Sequence, residues 1–263
     1  MSQQSLNGRC ALVTGSTGGI GLGIAIRLAE QGADVYLHGF GEEALTRDLQ
    51  KVIAQKGVRT GHSQADMSDS AQVKALIEQV EKEFGKIDIL VNNCGIQHTA
   101  KMEEFPDQTW DKILAVNLSA PFHACKTVLP LMKNRAWGRI INIASVHGLV
   151  ASEGKAAYCS SKHGLLGLTK VIALECANSG ITCNAICPGW VMTPLITPQI
   201  EAISKQQKIS MEEAGKVLVA EKQPMHRFAK ASEIGDLVLY LCSDAAQCMT
   251  GAALEISGGW TIR

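Results

Sequence analysis

The segment from Arg9 to Gly21 constrains the fold of this 263-residue chain more than any other. A short apolar run, Cys10-Ala11-Leu12-Val13, ends at Thr14 and Gly15, and glycines recur at 18, 19 and 21. Beyond them Ile24, Ala25, Leu28 and Ala29 fall at helical spacing, Gly32 closes that pattern, and Asp34 to His38 reads as the next strand. Strand, glycine loop, helix and strand thus follow within about 30 residues. In such a unit the glycines permit a tight turn and let the backbone approach a pyrophosphate at the helix N-terminus.

The alternation continues to the C-terminus. Helices are expected over 42–56, from a Ser68/Asp69 cap to Phe84, over 107–116 and 118–134, over 155–178 and over 232–243. Strands are expected over 59–64, 87–91, 138–144, 181–187 and 253–256, and a more polar helical insertion over about 195–222. Strands separated by helices imply an α/β chain, one doubly wound parallel sheet with helices on both faces. No repeat or long linker interrupts the pattern, so residues 1–263 are read as a single domain. Ligands in such sheets bind beyond the carboxyl ends of the strands. Gly15, Asp66, Asn92, Ser145 and Pro188 all fall just past expected strand ends, which points to one shared cleft.

Charge narrows the partners. Twenty-five basic residues balance twenty-five acidic ones with no basic stripe, so neither nucleic acid nor an anionic membrane is expected as the main partner. No apolar run is long enough to span a bilayer, and Met1 to Asn7 lacks a signal-peptide pattern, so the expected location is cytoplasmic. The nine cysteines form no C-x-x-C pair and sit in apolar segments, as reduced core thiols do; no disulfide or metal is expected.

The chemistry lies in Tyr158 and Lys162, one helical turn apart, with Ser145 thirteen positions before the tyrosine. A free tyrosine has a pKa of about 10, and a nearby ammonium favours its phenolate. Tyrosine, lysine and a serine hydroxyl together suit proton transfer at a substrate oxygen.

Taken jointly, Thr14-Gly15-x-x-x-Gly19-Ile20-Gly21, Asn92-Asn93-x-Gly95, Asn117, Ser145, Tyr158-x-x-x-Lys162 and Pro188-Gly189 followed by Thr193 resemble the short-chain dehydrogenase/reductase family over essentially the whole chain. Cys94 departs from the usual alanine. The resemblance implies a Rossmann-type sheet, a nicotinamide dinucleotide and hydride transfer. Tyr158 would be the general acid/base, Lys162 would lower its pKa and bond the nicotinamide ribose, Ser145 would polarise the substrate oxygen, and Asn117 would hold a relay water. Gly15, Thr17, Gly19, Ile20, Gly21, Phe40, Asp66, Met67, Asn93, Gly95, Pro188, Gly189, Val191 and Thr193 would join Tyr158 and Lys162 around the cofactor.

The choice of dinucleotide turns on the end of the second strand, His38-Gly39-Phe40-Gly41. It lacks the acid that often holds the ribose hydroxyls for NAD. It also lacks an arginine or lysine for a 2′-phosphate, with only His38 basic. NAD is the expectation, and Phe40 reads equally as an adenosine contact or a core residue.

At the substrate end, Gln97, His147, Lys155 and Gln199 are a cation and neutral donors suited to a carboxylate, with Trp190 and Trp260 as an apolar wall. The stretches 95–100, 145–152, 186–191, 221–224 and 258–261 are close to those of family members that oxidise (R)-3-hydroxybutyrate. That likeness implies oxidation of this small 3-hydroxy acid to its 3-keto acid, with residues 195–222 as a lid. It also implies a homotetramer built through helices 118–134 and 155–178 and through the C-terminal segment. Two other readings stay open: a reductase of another small ketone or a 3-oxoacyl thioester, and a non-catalytic dinucleotide sensor.

Overall fold

The computed structural model describes residues 5–262. Seven strands form one parallel sheet: β1 (Cys10–Val13), β2 (Asp34–His38), β3 (Thr60–Ser63), β4 (Ile89–Asn92), β5 (Gly138–Ile143), β6 (Ile181–Pro188) and β7 (Ala253–Ile256). Their order is β3-β2-β1-β4-β5-β6-β7. The helices are α1 (Gly19–Glu30), α2 (Glu43–Ala54), α3 (Ser70–Phe84), α4 (Asp107–Leu114), α5 (Ala120–Asn134), α6 (Ala156–Cys176), α7 (Thr197–Gln207), α8 (Met211–Lys222) and α9 (Ala231–Cys242).

Side chains alternate across a strand, and in the inner strands β1, β4, β5 and β6 both faces are covered, so every residue of these strands is buried. Ala11, Val13, Val35, Leu37, Ile89 and Val91 pack with Ile24 and Leu28 of α1 and Ile234 and Val238 of α9. Cys10, Leu12, Tyr36, Leu90 and Ile140 face the other way, onto α3, α5 and α6. Each fully buried Leu or Ile contributes about 1.5–3 kcal/mol. A one-residue slip would turn every such side chain onto the wrong layer, so register is strongly fixed. Six of the nine cysteines are buried, and all nine are free thiols.

Strand order reverses beside β1, whose neighbours are β2 and β4, and this opens a crevice at their carboxyl ends. Two polar side chains lock its walls. Thr14 Oγ1 accepts from the N–H groups of Asn93 (2.9 Å) and Cys94 (3.1 Å), while Asn93 Nδ2 donates to the carbonyls of Thr14 (2.8 Å) and Gly15 (2.9 Å). The glycine loop needs its glycines. Gly19 has φ +54°, and a Cβ on Gly21 would lie 2.3 Å from the Gly15 carbonyl oxygen.

One expectation is corrected between β4 and β5. The two separate helices expected over 107–116 and 118–134 are one run, joined through a π turn at Ala115–Ser119. Asn117 lies in that wider turn. Its side chain accepts from Ile96 N–H at 2.9 Å and donates to Ile96 O at 2.9 Å and to Ser161 Oγ at 3.2 Å. The extra residue per turn points the amide inward, a use to which π turns are often put.

The polar insertion forms α7 and α8. Lys208 ends α7 in the left-handed region, and a Ser210–Glu213 capping box starts α8. Ile196, Ile200, Ala214, Leu218 and Val219 seat this pair against Val146, Trp190 and Trp260. Among the described residues, no helix is long and apolar enough to cross a membrane.

Candidate active site

A cavity of about 310 Å³ opens at the carboxyl ends of the strands. Gly15, Gly19, Ile20, Asn93 and Gly95 line one side, and Pro188, Gly189, Val191 and Thr193 another. Ser145, Tyr158 and Lys162 stand between them and the far end, where Gln97, His147, Lys155, Trp190 and Trp260 meet. The glycine side fits a dinucleotide: it presents bare backbone at the N-terminus of α1, and nothing lies within 4 Å of where a Gly18 Cβ would project.

Tyr158 and Lys162 share the first turns of α6, both buried. Lys162 Nζ donates to the Ile143 carbonyl at 2.8 Å and lies 5.6 Å from the Tyr158 ring centroid. Burial pulls the lysine down to about 8, so it is still an ammonium at neutral pH. Burial pushes Tyr158 up to about 12, opposed by the Ser145 hydroxyl. The expectation that Lys162 lowers the tyrosine is therefore corrected. The ammonium is spent on a carbonyl, and desolvation of the phenolate dominates.

Ser145 follows β5. Its hydroxyl accepts from His147 N–H at 3.1 Å and lies 3.4 Å from His147 Nδ1. His147 Nε2 is 2.9 Å from Ser152 Oγ, and its ring stands edge-on to Tyr158 and Trp260. Burial, then the Lys155 charge, pushes this histidine down to about 3, so the site holds a neutral imidazole. Lys155 caps α6, is only 8% exposed, and sits with Nζ 5.1 Å from the Trp190 ring centroid. Among the described residues it has no carboxylate partner, and burial lowers its pKa. A buried ammonium without an anion is an open electrostatic demand.

His147 has a measurable consequence. An unfolded histidine takes a proton near pH 6.5, which the folded site refuses until about 3, so stability falls as pH drops through that window. The loss is on the order of 4 kcal/mol at its acid end. In urea titrations followed by circular dichroism, His147→Gln is expected to flatten this acid limb between pH 6.5 and 4; an unaltered limb would show that the ring titrates normally.

Several expected residues stand outside the cavity lining. Thr17 turns its hydroxyl to the Phe40 carbonyl at 3.3 Å, and Phe40 itself is 66% exposed beside the glycine loop, which corrects the core reading. Asp66 accepts from Ser68 N–H (2.8 Å) and Oγ (2.7 Å), and the Met67 side chain is buried in the α3 layer. Gly21 packs behind the loop. Gln199, on the first turn of α7, has a buried Nε2 without a partner and does not reach the cavity wall. Both amide hydrogens of Asn117 are used on Ile96 and Ser161, so its side chain clamps the 92–96 loop to α6.

Sequence reasoning assigned no role to three polar residues that hold this geometry. They are Thr14, which bridges β1 and β4; Ser161, which donates to Tyr158 O at 2.8 Å; and Gln223, which accepts from Trp190 N–H and donates to Arg227 O at 2.7 Å. Each had a signal in the sequence: Thr14 opens the glycine-loop motif, Ser161 stands beside Lys162, and Gln223 lies in the stretch 221–224.

A family model described as enoyl-(acyl carrier protein) reductase matches residues 15–261. A D-beta-hydroxybutyrate dehydrogenase of Cupriavidus necator is 50% identical over 98% of this chain and 100% of its own length. The chain belongs to the short-chain dehydrogenase/reductase family. A second D-beta-hydroxybutyrate dehydrogenase, from Rhizobium meliloti, is 45% identical over 97% of this chain and 99% of its own. Among solved structures, L-sorbose reductase from Gluconobacter frateurii, complexed with NADPH and L-sorbose, aligns at a TM-score of 0.94 with 28% identity, covering 99% of each chain. As a member of this family the chain is an oxidoreductase that uses a nicotinamide dinucleotide.

Proposed function

We propose that this short-chain dehydrogenase/reductase oxidises (R)-3-hydroxybutyrate with NAD⁺, reversibly, to acetoacetate, NADH and a proton. One observation carries the reading: the unpartnered ammonium of Lys155 stands in the same cavity as Ser145 and Tyr158, beside neutral His147, with Trp190 and Trp260 packed at a tilt, ring centroids 5.1 Å apart, as a wall. A small hydroxy acid satisfies both ends at once. Its carboxylate meets Lys155, Gln97 and His147, and its hydroxyl meets Tyr158 and Ser145. The names and full-length coverage of the two bacterial relatives support this substrate. A thioester would leave the Lys155 ammonium without its anion.

Bound along the glycine side, the nicotinamide supplies the hydride chemistry. Tyr158 takes the hydroxyl proton in oxidation and returns it in reduction, while Ser145 orients the same oxygen. Gly15, Gly19, Ile20, Asn93, Gly95, Val191 and Thr193 hold the dinucleotide, and Lys162 serves its ribose. The α7–α8 pair is a lid that excludes water, and Gln97 Nε2 donates to the Leu195 carbonyl just before it at 3.2 Å. NAD is favoured because no arginine or lysine stands at the end of β2, and His38 there is turned inward.

Absorbance of the reduced nicotinamide, recorded with (R)- and (S)-3-hydroxybutyrate and with NAD⁺ and NADP⁺ in turn, tests both parts. Turnover is expected with the R acid and NAD⁺. Silence with the R acid would remove the substrate, and preference for NADP⁺ would remove the cofactor assignment. Because a proton is released, the equilibrium moves towards acetoacetate as pH rises.

A further inference from the structure

The loop between β1 and α1 is braced from behind by His38. The residue ends β2, yet its ring is only 1% exposed and faces away from the cavity. Gly15 N–H donates to Nδ1 at 3.1 Å, and Nε2 lies 2.8 Å from Ala65 O. A carbonyl can only accept, so Nε2 carries the ring hydrogen and Nδ1 offers the lone pair. The backbone is knitted to the same loop: Ser16 N–H donates to His38 O at 2.7 Å, and His38 N–H donates to Ser16 Oγ at 2.9 Å.

We propose that His38 is a positioning residue for dinucleotide binding. As a neutral imidazole it ties the Gly15 peptide to the chain beyond β3 and fixes the direction in which the glycine loop offers its backbone to the pyrophosphate. This rests on the dinucleotide reading of the cleft and not on the identity of the substrate.

Placing a second proton on Nδ1 sets two N–H groups head to head and leaves the part-buried Gly15 N–H without an acceptor. The surroundings do not compensate. From β3, His62 faces the ring and disfavours its charge; its own Nε2 is 2.9 Å from Gly39 O. Beyond β3 the Asp66 carboxylate is turned to Ser68, and the loop from β1 brings Ser16 and Thr17, which carry no charge. Burial accordingly lowers the His38 pKa. Dinucleotide binding therefore weakens as pH falls, beginning below the ordinary imidazole range.

Calorimetric titration with ADP-ribose tests this, because that probe has the pyrophosphate but no nicotinamide for Tyr158 or Lys162 to sense. Wild-type protein, His38→Leu and His38→Asn are compared between pH 8 and pH 5. The wild type is expected to bind more weakly towards pH 5. His38→Leu should bind about tenfold more weakly at pH 8, the effect of an orphaned, part-buried N–H. His38→Asn, whose amide oxygen can still accept from Gly15 but does not titrate, should recover most of that loss and lack the wild type's acid weakening. Wild-type affinity in His38→Leu at pH 8, or a wild-type pH profile in His38→Asn, would overturn the proposal. If His38→Leu does not fold, the pH profile of His38→Asn decides alone. A wild type that does not bind ADP-ribose overturns the dinucleotide reading beneath it.

Discussion

Tyr158→Phe is expected to lower turnover by about 10²–10⁴-fold, the usual contribution of a positioned general acid/base. The ring fills the same volume between Ser145 and His147, so its edge-on contact with the His147 ring at 5.8 Å survives and the cavity keeps its shape. What is lost is the one hydroxyl that exchanges a proton with the substrate oxygen. NADH affinity, read by nicotinamide fluorescence, should stay within about twofold, since Lys162 keeps its bond to Ile143 O. The wild-type oxidation rate should also climb with pH, because the proton must leave a phenol that burial pushes up to about 12. A variant that keeps more than a tenth of the turnover, or the same climb with pH, would move the acid/base away from Tyr158.

Lys155→Ala is expected to act on capture rather than on chemistry. The ammonium is nearly enclosed, so truncation leaves the substrate carboxylate to be desolvated without its counter-charge, at a cost of about 2–3 kcal/mol. This corresponds to about 30- to 150-fold in kcat/KM, appearing chiefly as a raised KM with a smaller change in kcat. The same substitution removes a positive charge that holds His147 down, so the imidazole pKa should rise, which NMR titration of the ring can follow. Unchanged kinetics towards 3-hydroxybutyrate would take Lys155 out of the carboxylate site, and with it the observation on which the substrate rests.

Much of the fold was open to reading because its signals are local. Apolar runs of strand length, Gly32 after α1 and Asp69 before α3 fix elements within a residue or two of where they stand. The pairing of Tyr158 with Lys162 was legible for the same reason, since helical spacing alone puts both on one face. What stayed hidden depends on partners distant in the chain. Nothing near position 117 announces a π turn; its cause is the Ile96 peptide and Ser161, met only after folding. Met67 looks like a cofactor contact by position, but packing against α3 turns it inward, and the Gly15 peptide holds the His38 ring at the end of β2. The pKa of Tyr158 depended on where Lys162 Nζ points, and a neighbouring carbonyl claimed it. The reach of Gln199 depends on how α7 sits, which its own sequence does not encode.

The π turn at Ala115–Ser119 carries a last consequence, in the arithmetic of chain length. A helix that gains one residue without gaining a turn swings everything beyond it by about 100°. A chain one residue shorter here would close an unbroken α-helix from α4 into α5, with a more regular hydrogen-bond ladder. It would also present a different side chain to Ile96 and Ser161, and the loop after β4 would lose its clamp. Apart from Asn117, this segment therefore tolerates substitution far better than deletion: its length is part of its information.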